Sequence, residues 1–429
     1  WTVEHPVRFA EGDFHSEATP GGLEIDSPSR NLLGRTGAPR LPLETLTFVL
    51  PQGMRVKSAE VRDATWLPLV EGSLAIEADQ FSSEGQPVAV EFDRFGFGDS
   101  RTPARVGAAG GSGSLEGYSL GSVHLLPVRE SANGQVEYLA RAMVRLELEV
   151  DPRPRFKREV EWPGLRDAAQ HRIAEMVTNP SDVARHAPTA GRQPEQVSRP
   201  RPGDGIARTV RAEPRPIDYL ILTSAVLAPS YQPLADRRNA EGLNTVVVTL
   251  DEVFATATPG ADQQETIRNY IRDAWAYWGV QYLMLGGDSE LIPPRFARST
   301  YYPVGSYTDV PSDLYYGALD GTWNADGNGI PGEPLDEVDL FAELAIGRSP
   351  LDTPAEVSGW INKLLTYEEP ADPSYLGRSL FLSEVLFPDD WTPGSGDPIS
   401  LDGASYSCLL YTSDAADEFC HGGGWGGGG

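Results

Sequence analysis

The chain has 429 residues, 40% of them hydrophobic, and a formal net charge of -27 at pH 7. That length exceeds one ordinary domain and the apolar fraction supports two cores, so two or three domains are expected. The acidity opposes binding to nucleic acid or anionic lipid, whose phosphates would meet a like-charged surface, and no apolar run reaches the roughly 18 residues that a membrane span needs.

Residues 1–150 read as an all-β, sandwich-like module. Leu46 to Leu50, Val88 to Phe92 and Val144 to Val150 are short apolar runs separated by Gly and Pro. In the last of them Val144, Leu146, Leu148 and Val150 alternate with Arg145, Glu147 and Glu149, which puts one strand face on a core and the other in water. Gly107 to Gly113 reads as a flexible loop tip.

Residues 151–216 shift to Pro, Arg, Gln and Gly, with Arg153, Arg155, Lys157 and Arg158 near the start and Arg199, Arg201, Arg208, Arg211 and Arg215 near the end. So little apolar surface predicts a basic, exposed linker, with a short helix over Gly164 to Val177 and the first cuts by a trypsin-like protease.

From 217 to 407 strand and helix signals alternate. Strands are expected at Tyr219–Thr223, Thr245–Leu250, Tyr282–Leu285, Glu343–Gly347 and from Ser379 to Leu382. Helices are expected at Tyr231–Glu241, after the cap pair Asp262 and Glu265, and after Thr353, Pro354 and Glu356. The pattern defines a doubly wound α/β domain, whose ligands belong beyond the carboxyl ends of its strands. Gly286-Gly287-Asp288 matches no phosphate fingerprint and reads as a tight turn at that edge.

The strongest local signal is Asn324-Ala325-Asp326-Gly327-Asn328-Gly329. Side-chain oxygens at positions one, three and five, a Gly, and then the backbone carbonyl of Ile330 are how a chain wraps a hard cation such as Ca2+. The twelfth position is Leu335, so this is not a full helix-loop-helix hand; Glu333, Asp336, Glu337 or Asp339 would close the shell. A polar surface turn would use the same residues. Glu343 opens an apolar stretch and needs a partner if buried, for instance Arg348. Between Ile217 and Ser407 there is no histidine and no cysteine, so neither a Ser-His nor a Cys-His pair assembles there. The five upstream histidines, His5, His15, His124, His171 and His186, are scattered and read as structural or solvated.

Asp218-Tyr219-Leu220-Ile221-Leu222-Thr223, Ile267-Arg268-Asn269-Tyr270-Ile271-Arg272-Asp273-Ala274, Gly286-Gly287-Asp288, Ser312-Asp313-Leu314-Tyr315-Tyr316 with Leu319-Asp320-Gly321, and Glu343-Leu344-Ala345-Ile346-Gly347-Arg348 occur in the order seen in gingipain-type cysteine peptidases. The resemblance covers Pro216 to Ser407. Upstream, Gly37-Ala38-Pro39-Arg40-Leu41-Pro42 and Val49-Leu50-Pro51 resemble the start of that family's propeptide. The resemblance implies a caspase-like α/β domain, calcium-stabilised, secreted or at a bacterial cell surface, acting on protein or peptide substrates through a Cys nucleophile and a His base. It further implies that Glu343 is the acid orienting the His. In the family the His and Cys motifs follow the segment where this chain breaks off, so the α/β domain is expected to be incomplete and the chain inactive as given. The other readings are a calcium-dependent adhesion or carbohydrate-binding protein, and a nonpeptidase α/β protein with a Rossmann-like sheet.

Both cysteines, Cys408 and Cys420, lie in residues 408–429, so disulfides do not hold the rest of the fold together. Cys408 to Glu418 back-translates to a stretch resembling read-through into a transposase-type sequencing-library adapter. Gly422 to Gly429, broken only by Trp425, resembles a run of guanine calls; a Gly-rich linker is the alternative. The chain begins with Trp1 and has no charged and apolar leader, which fits a mature secreted chain or a gene fragment.

Overall fold

The computed structural model describes residues 1–19, 21–27, 32–33, 39, 41–76, 80–81, 87–88, 106–131, 133–153, 155–162, 164–194, 215–301, 305–336, 338–369, 372–375 and 378. The strand expected at Ser379 to Leu382, the basic run Arg199 to Arg211, and residues 408–429 lie outside them.

The N-terminal module is built on period-two alternation. Its strands are β1 (Thr2–Arg8), β2 (Glu44–Leu50), β3 (Met54–Glu71), β4 (Gly107–Leu115), β5 (Tyr118–Leu125), β6 (Val128–Glu130) and β7 (Gln135–Val150). In β7, Ala142, Val144, Leu146 and Leu148 are buried, while the charged residues between them face outward. β7 pairs antiparallel with β1 and β6 on one side and with β3 along its length on the other. A second antiparallel sheet has the order β4-β5-β2. Phe48 and Leu50 of β2, Val123 and Leu125 of β5, Met54 and Val56 of β3 and Val144 of β7 share one core, so the two sheets face each other as a sandwich.

Two sequence expectations fail here for identifiable reasons. Gly107 to Gly113 is strand, not a loop tip, because its glycines admit close neighbours. A Cβ on Gly107 would lie 2.6 Å from Val61, and one on Gly113 would meet the Asp339 carboxylate and lie 2.6 Å from the Phe341 ring. The first part of the expected linker, residues 151–194, is packed rather than exposed. Its arginines find carboxylates: Arg153 and Arg155 ion-pair with buried Asp151 at 2.7 and 2.5 Å, and Arg158 with Glu116 at 3.0 Å. Helix α1 (Leu165–Met176) forms as expected and places Ile173 against Val49, Leu115, Tyr118 and Leu120 of the module.

The α/β region contains β8 (Tyr219–Thr223), α2 (Ala228–Ala240), β9 (Thr245–Thr249), α3 (Leu250–Thr256), α4 (Gln263–Asp273), β10 (Tyr282–Gly286), a hairpin of β11 (Arg295–Tyr301) and β12 (Gly305–Ser312), α5 (Leu314–Gly317), β13 (Ala345–Ser349) and α6 (Pro354–Glu368). Four strands form a parallel sheet in the order β9-β8-β10-β13. Alternate residues of one strand feed opposite faces: Leu220 and Leu222 pack with Ile267, Ile271 and Trp275 of the α4 layer, and Ile221 packs with Tyr231 and Leu234 of α2 and Ile361 of α6. Helices on both faces make the sheet doubly wound, as the sequence pattern predicts. Three caps are realised: the Asp262 side chain accepts from Glu265 N, Thr353 and Glu356 form a full capping box, and Gly279 ends its helix in the left-handed region at φ 84°. The β11–β12 hairpin and α5 had no counterpart in the sequence reading. β13 starts at Ala345, so Glu343 precedes the strand instead of opening it. Among the described residues no helix is long and apolar enough to cross a membrane.

Candidate functional site

The carboxyl ends of the parallel strands converge at Thr223, Gly286 and Ser349. Thr223 Oγ1 donates to Gly286 O at 2.5 Å, and Gly287 N donates to Ser349 O at 3.0 Å. Asp288 closes the expected tight turn by accepting from Glu290 N and Leu291 N. Arg348 holds that turn from below. Its Nη1 donates to Gly287 O and Asp288 O at 2.9 and 3.0 Å, and its fork grips Asp313 at 2.7 and 2.6 Å. Arg348 is thus committed to Asp313 and is not the partner of Glu343.

Glu343 is buried, and its surroundings are acidic. Oε2 accepts from Leu319 N at 2.7 Å, while Oε1 has no hydrogen-bond partner among the described residues. Burial pushes its carboxyl well above the usual glutamate range, and the nearby charge of Asp320 adds to the shift. Asp320 is raised chiefly by burial, and Asp339 is pushed up by burial to about 6. Two arginines of α4 fix the loop that carries these contacts. Arg268, buried and stacked 4.5 Å from the Tyr315 ring, donates to Ala318 O, Asp320 O and Gly321 O; Arg272 donates to Leu319 O and Gly321 O. Sequence reasoning missed this pair, although Arg268 falls inside the buried arc of Ile267 and Ile271, where a cation needs acceptors.

Glu343 has no histidine to orient within residues 217–407. It lies before the amino end of β13, and the strand's carboxyl end is six residues on, about 20 Å of extended chain. Its geometry is that of a buried carboxyl whose pKa is raised by that burial.

The expected cation loop is brought together in part. Asn328 N and Nδ2 donate to Asp326, Gly329 N donates to Asn324 Oδ1, Ile330 N donates to Asn328 Oδ1, and Asn328 Nδ2 reaches Glu333. Glu333 also ion-pairs with Arg298 at 3.1 Å. Asp336 accepts from Ala325, Gly332 and Glu333 N–H groups and so shapes the loop from beneath. Asp339 makes its contacts elsewhere, accepting from Phe341 N and, across to the β module, from Ser114 N. Asn324, Asp326, Asn328 and Glu333 are joined by hydrogen bonds within one loop, and Asp339 does not join them. Among the described residues no three His, Cys, Asp or Glu side chains converge as a metal cluster.

Residues 212–413 match Peptidase family C25. No curated protein matches the chain. Among solved structures, one described as "Structure of Protease" is 22% identical with a TM-score of 0.28, covering 37% of this chain and 30% of its own. The complex of Porphyromonas gingivalis RgpB pro- and mature domains is 18% identical with a TM-score of 0.25, covering 35% of this chain and 29% of its own. Dimeric latent PorU from the same organism is 16% identical with a TM-score of 0.28, covering 90% of this chain and 40% of its own. The chain therefore spans less than half the length of each of these three proteins.

Residues 212–413 thus match the model of a cysteine-type peptidase family, the gingipain type that the sequence motifs also resemble.

Proposed function

We propose that the chain is part of the precursor of an exported, bacterial cysteine endopeptidase, in which residues 1–150 are propeptide-like and residues 217–407 belong to the peptidase domain. The observation that carries this reading is the family match over residues 212–413. Thiol peptidases attack the scissile carbonyl with a thiolate whose proton has passed to a histidine, and the acyl-enzyme is then hydrolysed. No histidine or cysteine occurs between Ile217 and Ser407, so the nucleophile and base belong to segments outside that range. What the α/β sheet contributes is a rigid support. Calcium is proposed as a structural ion held by Asn324, Asp326, Asn328, the Ile330 carbonyl and Glu333; it would supply positive charge to an acidic loop and no step of the chemistry.

The experiment is labelling with a peptide carrying a thiol-alkylating group, applied to the product of the source gene read in full and to the 429-residue chain. Mass spectrometry is expected to find one cysteine of the full product modified and protected by competing substrate, and no modification within residues 217–407 of the shorter chain. A full product in which no cysteine reacts faster than free thiol would overturn the reading and favour a calcium-dependent adhesion protein.

A further inference from the structure

An α-helix leaves its last four carbonyls without intrahelical donors, and they need partners from elsewhere. α4 runs on into a π-helical turn, Ala274–Trp278, which Gly279 terminates. The four final carbonyls of this helix are Trp275, Ala276, Tyr277 and Trp278. Ile217 N takes Trp278 O at 2.7 Å. The other three are met by one extended segment. Arg158 Nη1 donates to Trp275 O at 3.0 Å, Glu159 N and Val160 N both donate to Ala276 O at 3.0 and 3.1 Å, and Trp162 Nε1 donates to Tyr277 O at 3.2 Å.

Side chains follow the same order. Phe156, Arg158, Val160 and Trp162 are alternate residues, as a strand presents to one side. Arg272 sits 4.5 Å over the Phe156 ring, Arg158 sits 4.5 Å over the Trp275 ring, and Val160 and Trp162 are buried. Trp162 lies where a Cβ on Gly279 would come within 2.9 Å of it, so the glycine leaves room for the indole. The guanidinium of Arg158 also meets the negative end of the helix dipole. A C-terminus capped in this way is a recognition surface for a linear sequence.

We propose that the C-terminal end of α4, Trp275 to Gly279, is a docking surface for an extended, arginine-containing peptide with an aromatic, Arg, Val and Trp at alternate positions. Its occupant in this chain is residues 156–162, and this segment latches the β module to the α/β domain. The inference is independent of the peptidase reading, because it concerns backbone recognition and not hydrolysis.

The test uses the 429-residue chain with a specific protease site placed in residues 195–214. After cutting, the two halves are expected to co-elute on size exclusion. An excess of a synthetic peptide spanning residues 155–163 is expected to release the β module. The same peptide carrying Trp162→Phe, which keeps an aromatic ring but loses the indole N–H, is expected to need at least a severalfold higher concentration, and one carrying Arg158→Ala at least tenfold. Halves that separate on cutting alone overturn the proposal, as do an inert parent peptide or variant peptides that work equally well.

Discussion

Glu343 is a carboxyl group inside the protein with one oxygen bonded to Leu319 N–H and the other without a hydrogen-bond partner among the described residues. Its folded pKa is raised above the reference value of 4.5, so the folded state binds more protons than the unfolded chain from about that pH upward. The contribution is most favourable below the unfolded pKa and is lost as pH rises toward the folded value. Glu343→Gln keeps an acceptor for Leu319 and removes the ionisation. The variant should melt no lower than the parent at pH 8, with a flatter fall of stability from pH 5 to 8. A variant that melts well below the parent at pH 8 with the slope unchanged would show that this carboxyl is charged and paired. Sequence alone made Glu343 visible as an acid before an apolar run. It did not reveal which end of the sheet the residue occupies, because that depends on where β13 begins.

At the scale of elements, the legible features were those written in local chemistry. Thr353 with Glu356, Asp262 before α4, and Gly279 at a helix end each satisfy backbone groups within a few residues, so their signals survive without knowledge of the fold. The β11–β12 hairpin was not legible, since its Arg, Ser, Thr and Tyr residues lack apolar alternation. Gly107 to Gly113 misled because a glycine chosen for close packing looks the same in sequence as one chosen for mobility. The loop from Asn324 to Glu333 was legible as a wrap of oxygens, and its partner Asp336 was named, but Asp339 was drawn to Ser114 of the other module by a contact distant in sequence. If this loop binds calcium only when folded, the ion adds RT ln(1 + [L]/Kd), about 2.7 kcal/mol at a hundred times Kd. Differential scanning calorimetry should show a higher Tm in calcium than in chelator, and the shift should vanish in the Asp326→Ala, Asn328→Ala double variant. An equal shift in parent and variant would remove calcium from this loop.

Across the whole molecule, residues 151–194 change the picture most. Composition alone describes an exposed basic linker, yet its arginines are neutralised by Asp151 and Glu116 and its backbone caps a helix of the other domain. Charge in sequence is read without its partners, and here one partner, Asp151, adjoins the arginines it pairs with while the other, Glu116, lies 42 residues before Arg158. The role of this segment is set by its contacts with both parts of the chain and not by its own apolar content. The central proposal is chemical, that the chain is part of a thiol peptidase whose reacting groups lie outside residues 217–407. The most direct measurement is hydrolysis of a fluorogenic peptide library by the product of the source gene read in full, beside the 429-residue chain. Turnover by the full product that is abolished by thiol alkylation, with none from the shorter chain, is the predicted result; turnover by the shorter chain that survives Cys408→Ser and Cys420→Ser would contradict it.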